Sequence, residues 1–409
     1  MKTIGIIASC DTKLKEVEFM RERLGRAGFS SLVIDISIGP GQPAGADVSR
    51  EEVFLNAGLR WEEIRDRPKG DLMALVAPAA KATVLKLYRE GRFDGMLSAG
   101  GIQNTSVAAA AMQALPIGFP TVLASTVASG ERSFGSVAGD KDIVLIPSIS
   151  DFTGINPVTR VILANACAAV AGIARHAGTP VRKGGKPVVG LTLMGVTNDG
   201  AAAAAGELER HGIETIGFHA TGAGGRVMEQ MAEDGILDGV LDLTTHEITA
   251  EYFGGGFSFG ALKRLEKTAR LGIPLVASTG GLDFIDFPVD NLPARMDERI
   301  YNLHNPLLAH IKILPDEAAE VGRIFANRLN LAKKGARLIL PTEGMRKNTR
   351  PGGNLYAPET DRALLETIAR NAGPNVRIER IEGNLDDAEW GVKAAHAMLD
   401  ELRRRKAIG

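Results

Sequence analysis

Asp11, Thr12 and Lys13 stand where an apolar run, residues 3–8, gives way to an amphipathic pattern. A carboxylate, a hydroxyl and an ammonium in one turn can grip a phosphate, directly or through a metal ion, with the lysine acting as a point charge. Asp11 serves equally well as the N-cap of the helix that follows. Cys10 reads as a small buried hydrophobe, since no neighbouring histidine would activate it.

Six more turns have a related composition: "SAGGIQNTS" (98–106), "ASTVASGE" (124–131), "MGVTND" (194–199), "HATGAGG" (219–225), "TTHE" (244–247) and "STGGLD" (278–283). Glycine lets a backbone approach a ligand closely, and the free N–H groups and dipole of a following helix favour an anion. The strongest case is Gly100-Gly101 followed by Asn104, Thr105 and Ser106 at a helix start; "HATGAGG" is a second. Helix capping explains any single loop of this kind. Seven of them on predicted strand ends point to a lined cleft, because ligands of open parallel sheets bind beyond the carboxyl ends of the strands. Neither a GxxxxGK[ST] loop nor a GxGxxG turn after the first strand is present, so a conventional P-loop NTPase or NAD dehydrogenase is unsupported. His219 and the pair His246-Glu247 end neighbouring predicted strands and offer acid–base chemistry. Their spacing is too loose to specify a metal centre. His304 and His310 are less specific still, and Asp140, Lys141 and Asp142 read as an exposed turn.

The elements that must position these residues alternate. In the first half, strands at 3–8, 31–37, 94–99, 121–125 and 143–146 are separated by helices at 14–27, 51–57, 72–90 and 106–114, with a long Ala-rich helix at 156–177. Apolar strands without polar alternation, each followed by a helix, predict a parallel sheet covered on both faces. "HAGTPVRKGGKP" (176–187) lacks periodicity and marks a boundary between domains 1–180 and 187–409. The second half repeats the grammar, with one helix predicted at 260–271, and reads as irregular and polar from 283 to 315. A connection of that length is usually functional. The fold class is α/β, with two tandem Rossmann-like doubly wound domains and mostly parallel sheets.

Composition narrows the partners. The 409 residues are 44% hydrophobic and 24% charged, with a formal net charge of −1, which gives no basic footprint for nucleic acid. Two distant cysteines make neither a disulfide framework nor a metal pair. The N-terminal run is too short for a signal peptide, and the apolar stretch 158–174 contains Arg160 and Asn165 and reads as a core helix, so a soluble cytoplasmic protein without membrane contact is expected.

At these residues the chain resembles a known family. "GIIASCDTKLKEVEFMRERL", "LVIDIS", "DGMLSAGGIQNTSVAAAAMQALPIGFPTVLAST", "DIVLIPSISDFTGINPVTRVILANACAAVAGI", "IPLVASTGGLDFIDF" and "YAPETDRALLETI" occur in this order and are similar to the UPF0261, or Tm-1-like ATP-binding domain, family. The resemblance spans nearly the whole chain. It implies two Rossmann-like subdomains, a homodimer, and ATP, as bound in the family's plant member; for this chain the expected cofactor is ATP, alone or with Mg2+. Carried onto matching motifs, the ATP site falls on Asp11, Thr12, Lys13, Gly100, Gly101, Thr105, Ser106 and Thr126. Two stretches depart from the family pattern: "NPLLAHIKI" (305–313), and "GMRKNTRPGG" (344–353), whose added basic residues suit a more anionic ligand.

Three functions follow as alternatives. The first is a nucleotide-binding protein acting on or with a small anionic ligand and a separately encoded TIM-barrel partner. The second is a metabolic enzyme cleaving carbon–carbon or acyl bonds, with His219, His246 and Glu247 at an inter-domain cleft. The third is a periplasmic-type binding protein, against which the expected lack of a signal peptide counts.

Overall fold

A computed structural model describes residues 1–41, 43–128, 135–176, 184–405 and 407. The "ASTVASGE" loop beyond Ala128 and most of the expected linker lie outside the described residues. The chain divides into two compact units, Met1–Arg182 and Lys183–Gly409.

Unit 1 runs β1 (Thr3–Ala8), α1 (Leu14–Arg26), β2 (Ser30–Asp35), α2 (Arg50–Leu55), α3 (Trp61–Ile64), α4 (Lys69–Arg89), β3 (Gly95–Gly100), α5 (Ile102–Met112), β4 (Thr121–Ser125), α6 (Gly135–Ala138), β5 (Val144–Pro147) and α7 (Pro157–His176). The five strands pair in parallel in the order β2-β1-β3-β4-β5. Successive residues of a strand face opposite sides, and here both sides are apolar. Ile6, Leu97 and Val122 pack with α1 and α7, whereas Ile7, Met96 and Leu123 pack with α4 and α5. The helix α7 is long and apolar enough to cross a membrane, but Leu163, Ala166, Cys167 and Val170 belong to the core of unit 1. The direction in which successive strands are added reverses between β1 and β3, which makes their carboxyl ends a topological switch point.

Unit 2 continues with β6 (Val188–Leu193), α8 (Asn198–Arg210), β7 (Glu214–His219), α9 (Ala223–Glu233), β8 (Gly239–Thr244), α10 (Glu247–Phe253), α11 (Glu266–Leu271) and β9 (Leu275–Gly280). It then forms β10 (Phe284–Pro288), β11 (Tyr301–Asn305), β12 (Leu308–Lys312), α12 (Pro315–Leu329), β13 (Ala336–Pro341), α13 (Pro358–Asn371), β14 (Val376–Ile381) and α14 (Ala388–Arg404). Six strands form a parallel sheet in the order β14-β13-β9-β8-β6-β7, with its switch point between β6 and β8. One face is filled by α8 and α14, with Trp390 fully buried.

Two expectations need correction. The segment 283–315 is not irregular, because it folds as a three-stranded antiparallel sheet in the order β10-β12-β11. Its polar positions alternate with Ile285, Ala309 and Ile311, all fully buried, so half of each strand reads as loop in sequence. The helix expected over 260–271 begins only at Glu266. Lys263 and Leu265 take φ of 57° and 81°, a region costly for side-chain-bearing residues, and so interrupt it.

Candidate functional site

The two expected loops of unit 1 do meet. Asp11, Thr12 and Lys13 at the end of β1, and Gly101, Ile102, Gln103 and Asn104 at the end of β3, line one cavity of about 630 Å³. Volumes of this order are typical of small-molecule sites. Four cations border it, namely Lys13, Arg65, Arg67 and Lys69, against the single carboxylate of Asp11. The N-termini of both α1 and α5 open on it, and among the described residues neither has a side-chain cap. Uncapped N–H groups and the positive end of the helix dipole add to the same sign of potential.

Each neighbour has an identifiable hold. Asp11 accepts a hydrogen bond from Gly39 N–H at 3.2 Å, and the Lys13 ammonium donates to the Phe152 carbonyl. Asn104 donates to the Ser98 hydroxyl at 2.9 Å and packs so closely over Gly100 that a Cβ there would lie 2.7 Å from it. Gly100 therefore has a packing reason to be glycine. Gly101 lines the cavity itself, and a Cβ there would meet only the Thr126 hydroxyl, at 3.9 Å. Thr105 is buried and shares a 2.6 Å hydrogen bond with Ser125. Ser106 is exposed and returns its hydroxyl to the Ile102 carbonyl, away from the cavity lining. Asp35, at the end of β2, accepts from Cys10 N–H and from Ser37, while burial pushes its carboxyl above the ordinary range. Cys10 is 2% exposed, and burial followed by the charge of Asp35 raises its thiol to about 12, which makes it a packing residue. Sequence reasoning missed Arg65, Arg67 and Lys69. Arg65 and Arg67 sit between α3 and α4 and Lys69 opens α4, and only the fold carries that connection to the switch point.

The three acid–base residues expected in unit 2 are placed differently from one another. His219 lines a cavity of about 410 Å³, with its Nδ1 3.1 Å from the Thr221 hydroxyl. His246 is fully buried, its Nδ1 2.7 Å from the Gly281 carbonyl and its Nε2 3.4 Å from Asp286, a residue that does line the cavity. Burial works to lower the His246 pKa, but the Asp286 carboxylate, the Gly281 carbonyl and Glu247 together outweigh it and hold the imidazole above its ordinary value.

Glu247 is buried and does not line this cavity. It accepts from Gly225 N–H at 3.1 Å and lies 3.4 Å from Arg264. The Arg264 guanidinium, itself fully buried, also contacts Asp242 at 2.8 Å and Glu229 at 2.9 Å. Burial, opposed by that one guanidinium, leaves the carboxyls of Glu247 and Glu229 above their usual range. Gly225 of the "HATGAGG" turn makes room for this cluster, since a Cβ there would lie 1.9 Å from Arg264. The expected cradle in that loop thus has a packing explanation.

The comparisons agree on ancestry. A UPF0261 protein of Clostridium tetani is 34% identical over 98% of this chain and all of its own length, and one of Mesorhizobium japonicum is 33% identical over 98% and 100%. The "ToMV susceptible protein tm-1(GCR26)" of Solanum lycopersicum is 32% identical over 97% of this chain, which spans 55% of that protein. Among solved structures, Acinetobacter baumannii MurG aligns over all of both chains at 11% identity and a TM-score of 0.23, too low to bear on fold or function. Residues 2–179 match the N-terminal domain of the uncharacterised protein family UPF0261 and residues 186–402 its C-terminal domain, so the chain belongs to that family.

Proposed function

We propose that unit 1 binds a nucleotide, ATP alone or with Mg2+, in the cavity at its switch point. The observation that carries this reading is the convergence of four cations and two uncapped helix N-termini on one cavity beyond the strand ends. Phosphate oxygens match that potential, and Gly101 leaves the backbone of α5 open to them. Ile38, Pro40, Leu72 and Ile102 supply apolar lining for a base. Lys13, Arg65, Arg67 and Lys69 would hold the phosphates, and Asp11 is the lining carboxylate suited to a Mg2+ ion. The resemblance to the Tm-1-like family supports the choice of ATP among nucleotides. It also supports a homodimer and action with a separate TIM-barrel protein, which we propose alongside.

Thermal unfolding and calorimetric titration with ATP, with and without Mg2+, test the reading. A ligand that binds only the folded chain stabilises it by about 2.7 kcal/mol at one hundred times its dissociation constant. Saturable stabilisation, weakened in Arg67→Ala, is expected. An unchanged melting curve at millimolar ATP would overturn it.

A further inference from the structure

The antiparallel sheet of unit 2 gathers polar side chains that nucleotide binding does not use. His310 of β12 stands opposite Asp286 of β10 on one side and Asn302 of β11 on the other. Directly opposed residues share a sheet face, as do residues two apart on a strand, which adds His304 and Leu308. All five line the cavity of about 410 Å³.

His310 is the centre of this face. It is 6% exposed, its ring stacked on His304 at 4.6 Å and set edge-on to Phe284 at 5.1 Å. Among the described residues its ring nitrogens have no hydrogen-bond partner. Its orientation is therefore set by ring packing, with the nitrogens left free for whatever enters. Burial, then the charge of Arg346, lowers its pKa to about 4, so near neutral pH it offers one donor and one acceptor. A nearly buried imidazole with neither engaged forgoes hydrogen bonds worth making.

The lining also defines the occupant. It contains no lysine or arginine, and its one carboxylate, Asp286, is matched from behind by His246. A phosphate would meet that carboxylate with no lysine or arginine in the lining to offset it. Hydroxyl groups both donate and accept, which suits Asp286, Asn302, His310 and Thr221 together, and the half-turned-out ring of Phe257 offers an apolar wall. We propose that this cavity is a second ligand site, for a small uncharged polyhydroxy compound such as a pentose or polyol, whose hydroxyls hydrogen-bond to Asp286, His310 and Asn302.

The test is proton–carbon NMR of the full chain labelled at the histidine ring, with His310 assigned from His310→Gln. Ribitol, D-ribose and myo-inositol are titrated separately up to about 100 mM, beyond the millimolar range of weak ligands, with inorganic phosphate as the contrasting probe. At least one polyol should shift the His310 signal saturably, and Asn302→Ala should weaken that titration about tenfold. Phosphate should leave the signal in place. If His310→Gln does not fold, assignment proceeds from the change in the stacked pair in His304→Gln, and Asn302→Ala still reads binding. Failure of all three polyols to move the signal, or a saturable shift with phosphate, overturns the proposal.

Discussion

The two units build closely related parallel sheets but keep their charges in different places. Unit 1 sets its cations at an open cavity, where Asp11, Arg65, Arg67 and Lys69 are exposed. Unit 2 buries a larger set of charges than the Glu16, Asp35 and Arg50 that unit 1 takes inside. Arg264, Arg346, Lys312, Asp242, Asp283 and Asp286 are each no more than 2% exposed. Exposed charges act through a screened field that salt weakens. Buried ones act through fixed geometry and cannot be removed singly without leaving an uncompensated partner. The first arrangement suits capture of an anion, the second a rigid, selective pocket.

The comparison is broken most severely at Arg264. Arg264→Ala withdraws the one guanidinium shared by Asp242, Glu229 and Glu247. Loss of one side of a buried ion cluster costs about 3–5 kcal/mol, so the denaturant midpoint of unit 2 should fall sharply. Arg67→Ala in unit 1 should change stability by no more than about 0.5 kcal/mol, as exposed substitutions do. Equal losses in the two variants, measured by urea unfolding, would contradict the contrast.

A pH scan sharpens it next. The His310 pKa, about 4 when folded, lies below the ordinary value of 6.5. Between those values the unfolded chain binds a proton that the native chain does not, so stability rises with pH from about 4 to 6.5 and is lost as pH falls. With 1.36 kcal/mol per unit the full swing is about 3.4 kcal/mol, of which about 2.4 kcal/mol falls between pH 7 and pH 4.5. Relative to His310→Gln, the native chain should lose roughly that much between pH 7 and pH 4.5, and parallel curves would show that the imidazole does not titrate in this way.

How far this division was legible beforehand depended on the residue. Parallel strands such as "TIGIIA" and "GMLSAG" declare themselves by unbroken apolar character, and their ends located the Asp11–Lys13 and Gly101 turns. Arg264 did not declare itself, because "LKRLEK" reads as a solvated helix. Its burial is visible only in the positive φ angles on either side of it and in carboxylates 17 to 35 positions away in the chain. The face carrying Asp286, Asn302, His304 and His310 was hidden for another reason. Histidine and asparagine at alternate positions resemble loop until three strands are seen to pair. Arg65 and Arg67 joined the unit 1 cavity through topology alone.

Salt tests the unit 1 side directly. If Arg65, Arg67 and Lys69 act through long-range attraction, removing one should weaken ATP binding by up to about tenfold, or 1.4 kcal/mol. The loss should shrink as ionic strength rises toward the range where the screening length is about 3 Å. Calorimetric titration of Arg67→Ala at low and high salt reads both quantities. A loss independent of salt would mean that Arg67 makes a tight, desolvated contact, and the contrast with unit 2 would weaken.

The smallest effect separates capping from ligation inside a single loop. Thr105 and Ser106 are adjacent and chemically alike, yet Thr105 is buried against Ser125 while Ser106 is exposed and bonded to its own helix at Ile102. Thr105→Val leaves the Ser125 hydroxyl short of a buried partner and should cost about 1–2 kcal/mol. Ser106→Ala removes only an exposed hydroxyl bonded back to its own helix, so stability should move by no more than about 0.5 kcal/mol. ATP affinity should stay unchanged in Ser106→Ala, because the side chain turns from the cavity that Gly101 and Gln103 line. A loss of affinity there would require the N-terminal turn of α5 to reorient when the nucleotide enters, which would make unit 1 the adaptable unit as well as the exposed one.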